Sequence, residues 1–169
     1  MKQKRIIQRN LPLNIKYTLI DKQYIPLENN PGICCNNCGK IICNIATIKN
    51  EIGESFDIGF DCLDTILLNN QILDGNSLKD YEHVKKMIPK ILRFSKHVKE
   101  TAELNRQNNL NLIGLRFEKQ TYPSEYFTFY YLFDKARPYN SYVKLKDMDF
   151  DFLIETIKNI FPKFNIEIL

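Results

Sequence analysis

Five cysteines carry the chemistry of this chain, and all of them fall within Ile33–Ile66, ICCNNCGKIICNIATIKNEIGESFDIGFDCLDTI. Cys35 and Cys38 flank two residues and are followed by Gly39 and Lys40. Two thiolates at this spacing grip one ion only if the chain turns sharply between them, and a glycine after the second takes the positive φ that such a turn needs. Cys62 comes next, where a helix is expected to start. Unpaired N–H groups and the helix dipole favour a thiolate there. The chemistry is that of a divalent, thiophilic ion, so Zn2+ is the expected cofactor. The fourth ligand stays open. Cys43 and Cys34 are the cysteine candidates, Asp61 or Asp64 offers an oxygen, and a water or a remote histidine completes the choices. The plainer reading makes Cys34 and Cys43 small buried apolar side chains, or the whole stretch a hairpin that folds without an ion.

Local sequence supplies the elements that would position these thiols. Asn29-Asn30-Pro31-Gly32 is a turn that delivers the chain to the cysteines. Residues 41–49 and 55–58 read as strands, joined by a turn at Asn50-Glu51-Ile52-Gly53. Gly59 closes the second strand, and Asp61 is placed to cap a helix that begins near Cys62. Knuckle, hairpin and helix start in that order bring Cys62 back to the Cys35/Cys38 pair.

The stretch resembles a treble-clef or zinc-ribbon-like module. In particular it is similar to a pattern of small phage and bacterial proteins, C-x-x-C-G-[KR]-x-I … G-x-x-[FY]-x-[IV]-G-x-[DE]-C-x-x-x-[IL]. The matching residues are Cys35, Cys38, Gly39, Lys40, Ile42, Gly53, Phe56, Ile58, Gly59, Asp61, Cys62 and Ile66. The resemblance implies a metal site within an interaction module and carries no catalytic residue. One departure stands out. A treble clef supplies two ligands from its helix start, whereas here Cys62 is alone and Thr65 follows three residues on.

Around this stretch the chain reads as α+β. It has a small zinc-binding knuckle–hairpin–helix module, a long basic helix, and a C-terminal, mostly antiparallel sheet with one packed helix. Residues 1–75, 76–108 and 109–169 are the expected segments. Lys2, Lys4, Arg5 and Arg9 make the N-terminus either a frayed end or a basic arm. Residues 15–27 suggest two short strands or a hairpin, broken at Asp21-Lys22-Gln23. Residues 60–74 continue as a helix with Leu63, Ile66, Leu67 and Ile72 on its apolar side. Asp74-Gly75-Asn76 breaks it, and Ser77 with Asp80 reads as a new N-cap. A helix over 78–106, kinked at Pro89, has Val84, Met87, Ile88, Ile91, Ser95 and Val98 at helical spacing. Lys85, Lys86, Lys90, Arg93, Lys96 and Lys99 lie on its other half, with no acid between 85 and 99. That is either a solvated face or a phosphate-contacting one. His83 and His97, on its polar side, read as surface residues.

Beyond a polar break at Asn105–Asn111, strands are expected over Leu110–Glu118, Glu125–Asp134, Ser141–Leu145 and Lys163–Leu169. A helix over Lys146–Ile160 has Asp147, Asp149 and Asp151 near its start. Tyr126, Phe127, Phe129, Tyr130, Tyr131 and Phe133 are compatible with base stacking. The plainer reading is a two-sided strand with phenylalanines inside and tyrosines out.

The net charge of +4 permits nucleic-acid binding without requiring it. No apolar run approaches a membrane span and the first ten residues lack a signal-peptide core, so a cytoplasmic protein with reduced thiols is expected. Richness in Ile, Lys and Asn fits AT-rich coding, as in a phage. No glycine-rich phosphate loop, G-x-S-x-G elbow or H-E-x-x-H occurs, so neither a nucleotide cofactor nor those catalytic classes is expected. A zinc deaminase needs a His-x-Glu ahead of its cysteines, and no histidine precedes Cys38. A redox Cys-x-x-Cys would open a helix, not a hairpin. These residues point to a non-enzymatic zinc protein that binds nucleic acid. The alternative is an adaptor or inhibitor acting on a protein partner, for instance a phage product occupying a host protein. An enzyme with an unmarked site is the third reading.

Overall fold

Residues 11–12, 15–70, 72–121, 126–135, 142–146 and 148–169 are described by a computed structural model of the chain. Lys2, Lys4, Arg5 and Arg9 lie outside the described residues, and so does the expectation of a basic arm. Among the described residues, three α-helices and two sheets form an α+β fold. The chain divides into two compact units, Met1–Ile88 and Pro89–Leu169.

The first unit is built on a three-stranded antiparallel sheet in the order β1-β2-β3, with β1 at Tyr17–Tyr24, β2 at Asn44–Asn50 and β3 at Ser55–Gly59. Residues 15–27 thus hold one strand and a short 3-10 turn at Leu27–Asn29, not the expected hairpin. The polar Asp21-Lys22-Gln23 stretch does not turn. It stays paired to Thr47, Ala46 and Ile45 of β2, and the irregularity is a bulge between Leu19 and Asp21. The polar groups find partners without leaving the sheet. Gln23 Nε2 donates to Asp21, and Lys22 Nζ forms an ion pair with Asp80 at 2.6 Å. A long β2 partner therefore overrides the local turn signal.

Helix α1, Phe60–Asn70, follows β3 without a loop. It starts two residues before Cys62, so Asp61 sits in its first turn and is not the cap expected. Leu63 and Ile66 are buried. Ile72 is buried as well but lies beyond the helix, where its carbonyl accepts from Tyr17 N–H at 2.7 Å. Helix α2, Gly75–Arg106, begins earlier than its sequence cap suggests. Asp74 fills the capping role instead. Its carboxylate accepts from Asn76 N–H, Ser77 N–H and Ser77 Oγ–H, at 3.1, 3.1 and 2.7 Å. Those bonds hold the Asp74 carboxyl below the usual carboxylate range, with the Ser77 N–H the largest cause. Ser77 Oγ in turn accepts from Leu19 N–H, tying the helix start to β1.

Along α2 the apolar positions expected from spacing are buried, Val84, Met87 and Ile88 in the first unit and Ile91, Ser95 and Val98 in the second. Tyr81 and Phe94 complete the stripe. Pro89 lies inside the helix and supplies no N–H to the turn before it.

The second unit holds a four-stranded mixed sheet in the order β6-β5-β4-β7: β4 Leu112–Gln120, β5 Tyr126–Phe133, β6 Tyr142–Lys146 and β7 Asn165–Ile168. β4, β5 and β6 form an antiparallel meander, and β7 returns parallel to β4 after helix α3, Phe150–Ile160. Lys146 still belongs to β6, so α3 begins later than expected, at the Asp149 cap whose side chain accepts from Phe152 N–H at 3.0 Å. Asp147 lies outside the described residues. The buried residues of β5 include Phe127, Phe129 and Tyr131. Strand alternation, not residue type, sorts these rings. Tyr131 faces inward with the phenylalanines, contrary to the expectation of tyrosines outside. Phe94 of α2 meets Phe129 at 4.0 Å between ring centroids, and Phe150 of α3 stacks on Phe127 at 4.6 Å. Both helices thus close over the same face of the sheet.

β7 lies so close to β4 that a Cβ on Gly114 would come 2.2 Å from the backbone oxygen of Asn165. Gly114→Ala is expected to lower unfolding free energy by about 1–3 kcal/mol through overpacking against backbone. Gly75→Ala, with nothing within 4 Å, is expected to leave it unchanged or slightly raised. Urea denaturation followed by circular dichroism compares the two.

Candidate metal centre

The knuckle is held by its own backbone and by one asparagine. Asn30 Oδ1 accepts from Gly32 N–H and Ile33 N–H, while Asn30 Nδ2 donates to the Ile42 carbonyl at 2.6 Å. Ile42 N–H donates to Ile33 O, Cys35 N–H to Lys40 O and Gly39 N–H to Cys35 O, at 3.0, 2.8 and 2.8 Å. Residues 33–42 therefore form a miniature hairpin whose tip is the Cys-x-x-Cys turn, with Gly39 at φ 73° in the left-handed region. Asn36 docks that tip on β3. Its N–H donates to Asp57 O, and its side-chain oxygen accepts from Asp57 N–H.

The docking aims two thiols at the start of α1. Cys35, Cys38 and Cys62 place their sulfurs within 4.8 Å of one another. Zinc–sulfur bonds of about 2.3 Å in a tetrahedron require sulfur separations of roughly 3.8 Å, so a small contraction closes the group on one ion. Cys35 and Cys62 are buried and Cys38 is half-buried, so solvent meets the cluster at Cys38.

Two of the sulfurs have a backbone N–H donor. Gly59 N–H donates to Cys35 Sγ at 3.4 Å. The Lys40 backbone N–H serves Cys38, and the fully buried side chain of Asn37 lies beside Cys62. Gly59 can deliver its N–H because it lacks a side chain: a Cβ there would meet Ile42 Cγ2 at 2.7 Å.

These surroundings split the thiols. Burial opposes ionisation of Cys38, but the Lys40 N–H, the neighbouring Cys62 and Cys35 and the Lys40 charge outweigh it, and its thiol is shifted down. Burial pushes Cys62 up to about 12, helped by Cys38 and Cys35, against the opposing influence of the neighbouring Asn37 amide. A crowded set of this kind accepts several negative charges only beside a cation, which is the electrostatic condition of a metal site.

The other two cysteines stand apart from the group. Cys34 is exposed and its thiol donates to Gly32 O at 3.3 Å. Cys43 is half-buried beside Leu27 and Glu28. Burial pushes its thiol up, Glu28 adds to that, and the Leu27 N–H opposes it. Among the acids weighed as a fourth ligand, Asp64 accepts from Tyr81 Oη–H at 2.6 Å and pairs with Lys85. Asp61 is exposed in the first turn of α1. His83 and His97 are exposed on α2. Gly59, which donates to Cys35, and Asn37, buried beside Cys62, are the site residues that spacing does not reveal. Gly59 belongs to the motif, while for Asn37 the sole signal is its place between the two cysteines.

All six cations singled out on α2 are exposed. Lys85 pairs with Asp64, Lys96 with Glu100 at 3.8 Å, and Lys99 lies over the Phe161 ring at 5.9 Å. Among the described residues, Lys86, Lys90 and Arg93 form no ion pair. Of the aromatics on β5, Phe127, Phe129 and Tyr131 are consumed by the core, and Tyr130 Oη–H donates to Glu118 at 3.0 Å. No described helix is long and apolar enough to cross a membrane. Comparison of the chain with protein-family models, with curated proteins and with solved structures gives no match.

In metal-free protein, brief alkylation followed by peptide mapping is expected to label exposed Cys34 and half-buried Cys38 ahead of buried Cys35 and Cys62. Faster labelling of Cys62 than of Cys34 would contradict the arrangement.

Proposed function

We propose that residues 33–66 form a treble-clef-like module that holds a structural Zn2+ on Cys35, Cys38 and Cys62, in a non-enzymatic protein that binds nucleic acid through α2. The observation that carries the metal reading is the set of three sulfurs within 4.8 Å, two of them met by a backbone N–H. Amide donors of this kind are what stabilise thiolate charge at a metal site without neutralising it. Between Cys34 and Asn44 the knuckle buries only Cys35 and Asn37, so an ion would serve as its core.

The nucleic-acid reading rests on Lys86, Lys90 and Arg93. They are spaced i, i+4, i+7 along one helix, exposed, and without a carboxylate partner among the described residues. Such a row meets successive phosphates and reads no sequence.

Zinc analysis of the purified protein is expected to give about one ion per chain. Cys35→Ser, Cys38→Ser and Cys62→Ser should lose it, while Cys34→Ser and Cys43→Ser keep it. Chelator should bring the thermal midpoint of the wild type down to that of the three variants. Wild type without zinc, indifferent to chelator, would remove the metal reading.

Binding to duplex DNA or to single strands is expected to weaken with salt. Each phosphate contact contributes a slope of about 0.9 in log K against log salt on a duplex and about 0.7 on a single strand. The combined variant Lys86→Glu, Lys90→Glu, Arg93→Glu should flatten the duplex slope by about 2.7. An absence of binding at low ionic strength would dismiss the nucleic-acid reading, and a pull-down from nuclease-treated lysate would then test the protein-partner alternative.

A further inference from the structure

Three sulfurs do not complete a tetrahedron. A closed structural zinc site takes four protein ligands, and a site with three keeps a position for something else. Among the described residues no fourth Cys, His, Asp or Glu joins Cys35, Cys38 and Cys62. The candidates nearest in sequence are turned to other work: Cys34 to Gly32 O, Cys43 to the Leu27–Glu28 turn, Asp57 to Thr47 Oγ1, and Asp64 to Tyr81 and Lys85. Outside the described residues, the chain carries just two side chains of these types, Glu125 and Asp147.

We propose that the ion on Cys35, Cys38 and Cys62 keeps one coordination position that the chain does not fill, occupied by water and exchangeable for a neutral nitrogen donor. The inference rests on the metal reading above and adds a site for an external ligand to it. Three observations shape that site. Cys38 is the half-buried member of the set, so the cluster is reached from solvent on its side. Three thiolates and a divalent ion sum to a net negative charge, so a fourth donor that brings no further charge is favoured over an anion. The same excess charge weakens the ion as a Lewis acid. Water on zinc held by three neutral imidazoles ionises near pH 7. Beside three thiolates it holds its proton more tightly, and the position suits ligand exchange better than hydrolysis.

Cobalt(II) replacing zinc reads this directly, because its visible bands report thiolate number and the identity of the remaining donor. The expected result for wild-type protein is a tetrahedral spectrum with charge-transfer intensity that is the same in Cys34→Ser, Cys43→Ser and Asp61→Asn. Titration with imidazole should shift the visible bands saturably, leave the thiolate charge-transfer band in place, and release no cobalt. Bands that ignore imidazole, or charge-transfer intensity lost in Cys34→Ser or Cys43→Ser, would overturn the open position while leaving the metal site standing. Failure of the wild type to take up cobalt or zinc at all would overturn the metal reading itself, and the open position with it.

Discussion

The constraint on which the first unit depends is the confinement of three cysteine sulfurs within 4.8 Å at the junction of knuckle, strand and helix. Thiols this close cannot all carry charge in a partly buried place unless something positive sits among them. The chain answers with backbone N–H groups. Gly59 serves Cys35 and Lys40 serves Cys38, and the buried Asn37 side chain lies beside Cys62. These donors orient lone pairs and soften the repulsion, and an ion would supply the remaining charge. The surrounding geometry follows from keeping that arrangement. Gly39 makes the turn, Asn30 and Asn36 fix the knuckle to itself and to β3, and α1 starts directly after β3 so that Cys62 arrives in its first turn.

Much of this was legible in residue order because turns and helix starts are local. A glycine after the second cysteine and a strand ending one residue ahead of α1 determine where Cys35, Cys38 and Cys62 point. What was not legible depends on contacts across the fold. Whether Cys43 or Cys34 joins the group is decided by the Leu27–Glu28 turn and by the bridge between Cys34 and Ile41, and neither has a marker in sequence. The start of α2 moved from Ser77 to Asp74 for the same reason. Asp74 N–H donates to Tyr17 O, and Ser77 Oγ is needed by Leu19 N–H, so β1 selects the cap. Strand β1 itself was read as broken because its polar residues look like a turn until β2 lies alongside.

The second unit shows how a pattern can be right in kind and misassigned in detail. Aromatic alternation on β5 marks a sheet strand with one buried face, and parity then places Tyr131 inside with Phe127 and Phe129. The periodicity of α2 identified most of its buried side chains in both units, from Val84 to Val98, and missed Phe94. It could not say which cations on the other half stay available. Asp64, Glu100 and the Phe161 ring decide that by engaging Lys85, Lys96 and Lys99. Of the six, Lys86, Lys90 and Arg93 form no ion pair with the described residues.

X-ray absorption at the metal edge of the zinc-loaded protein tests the central claim most directly. The account predicts three sulfur neighbours at about 2.3 Å and one lighter neighbour, nitrogen or oxygen, at about 2.0–2.1 Å. A shell of four sulfurs, or one of nitrogen and oxygen alone, would contradict it.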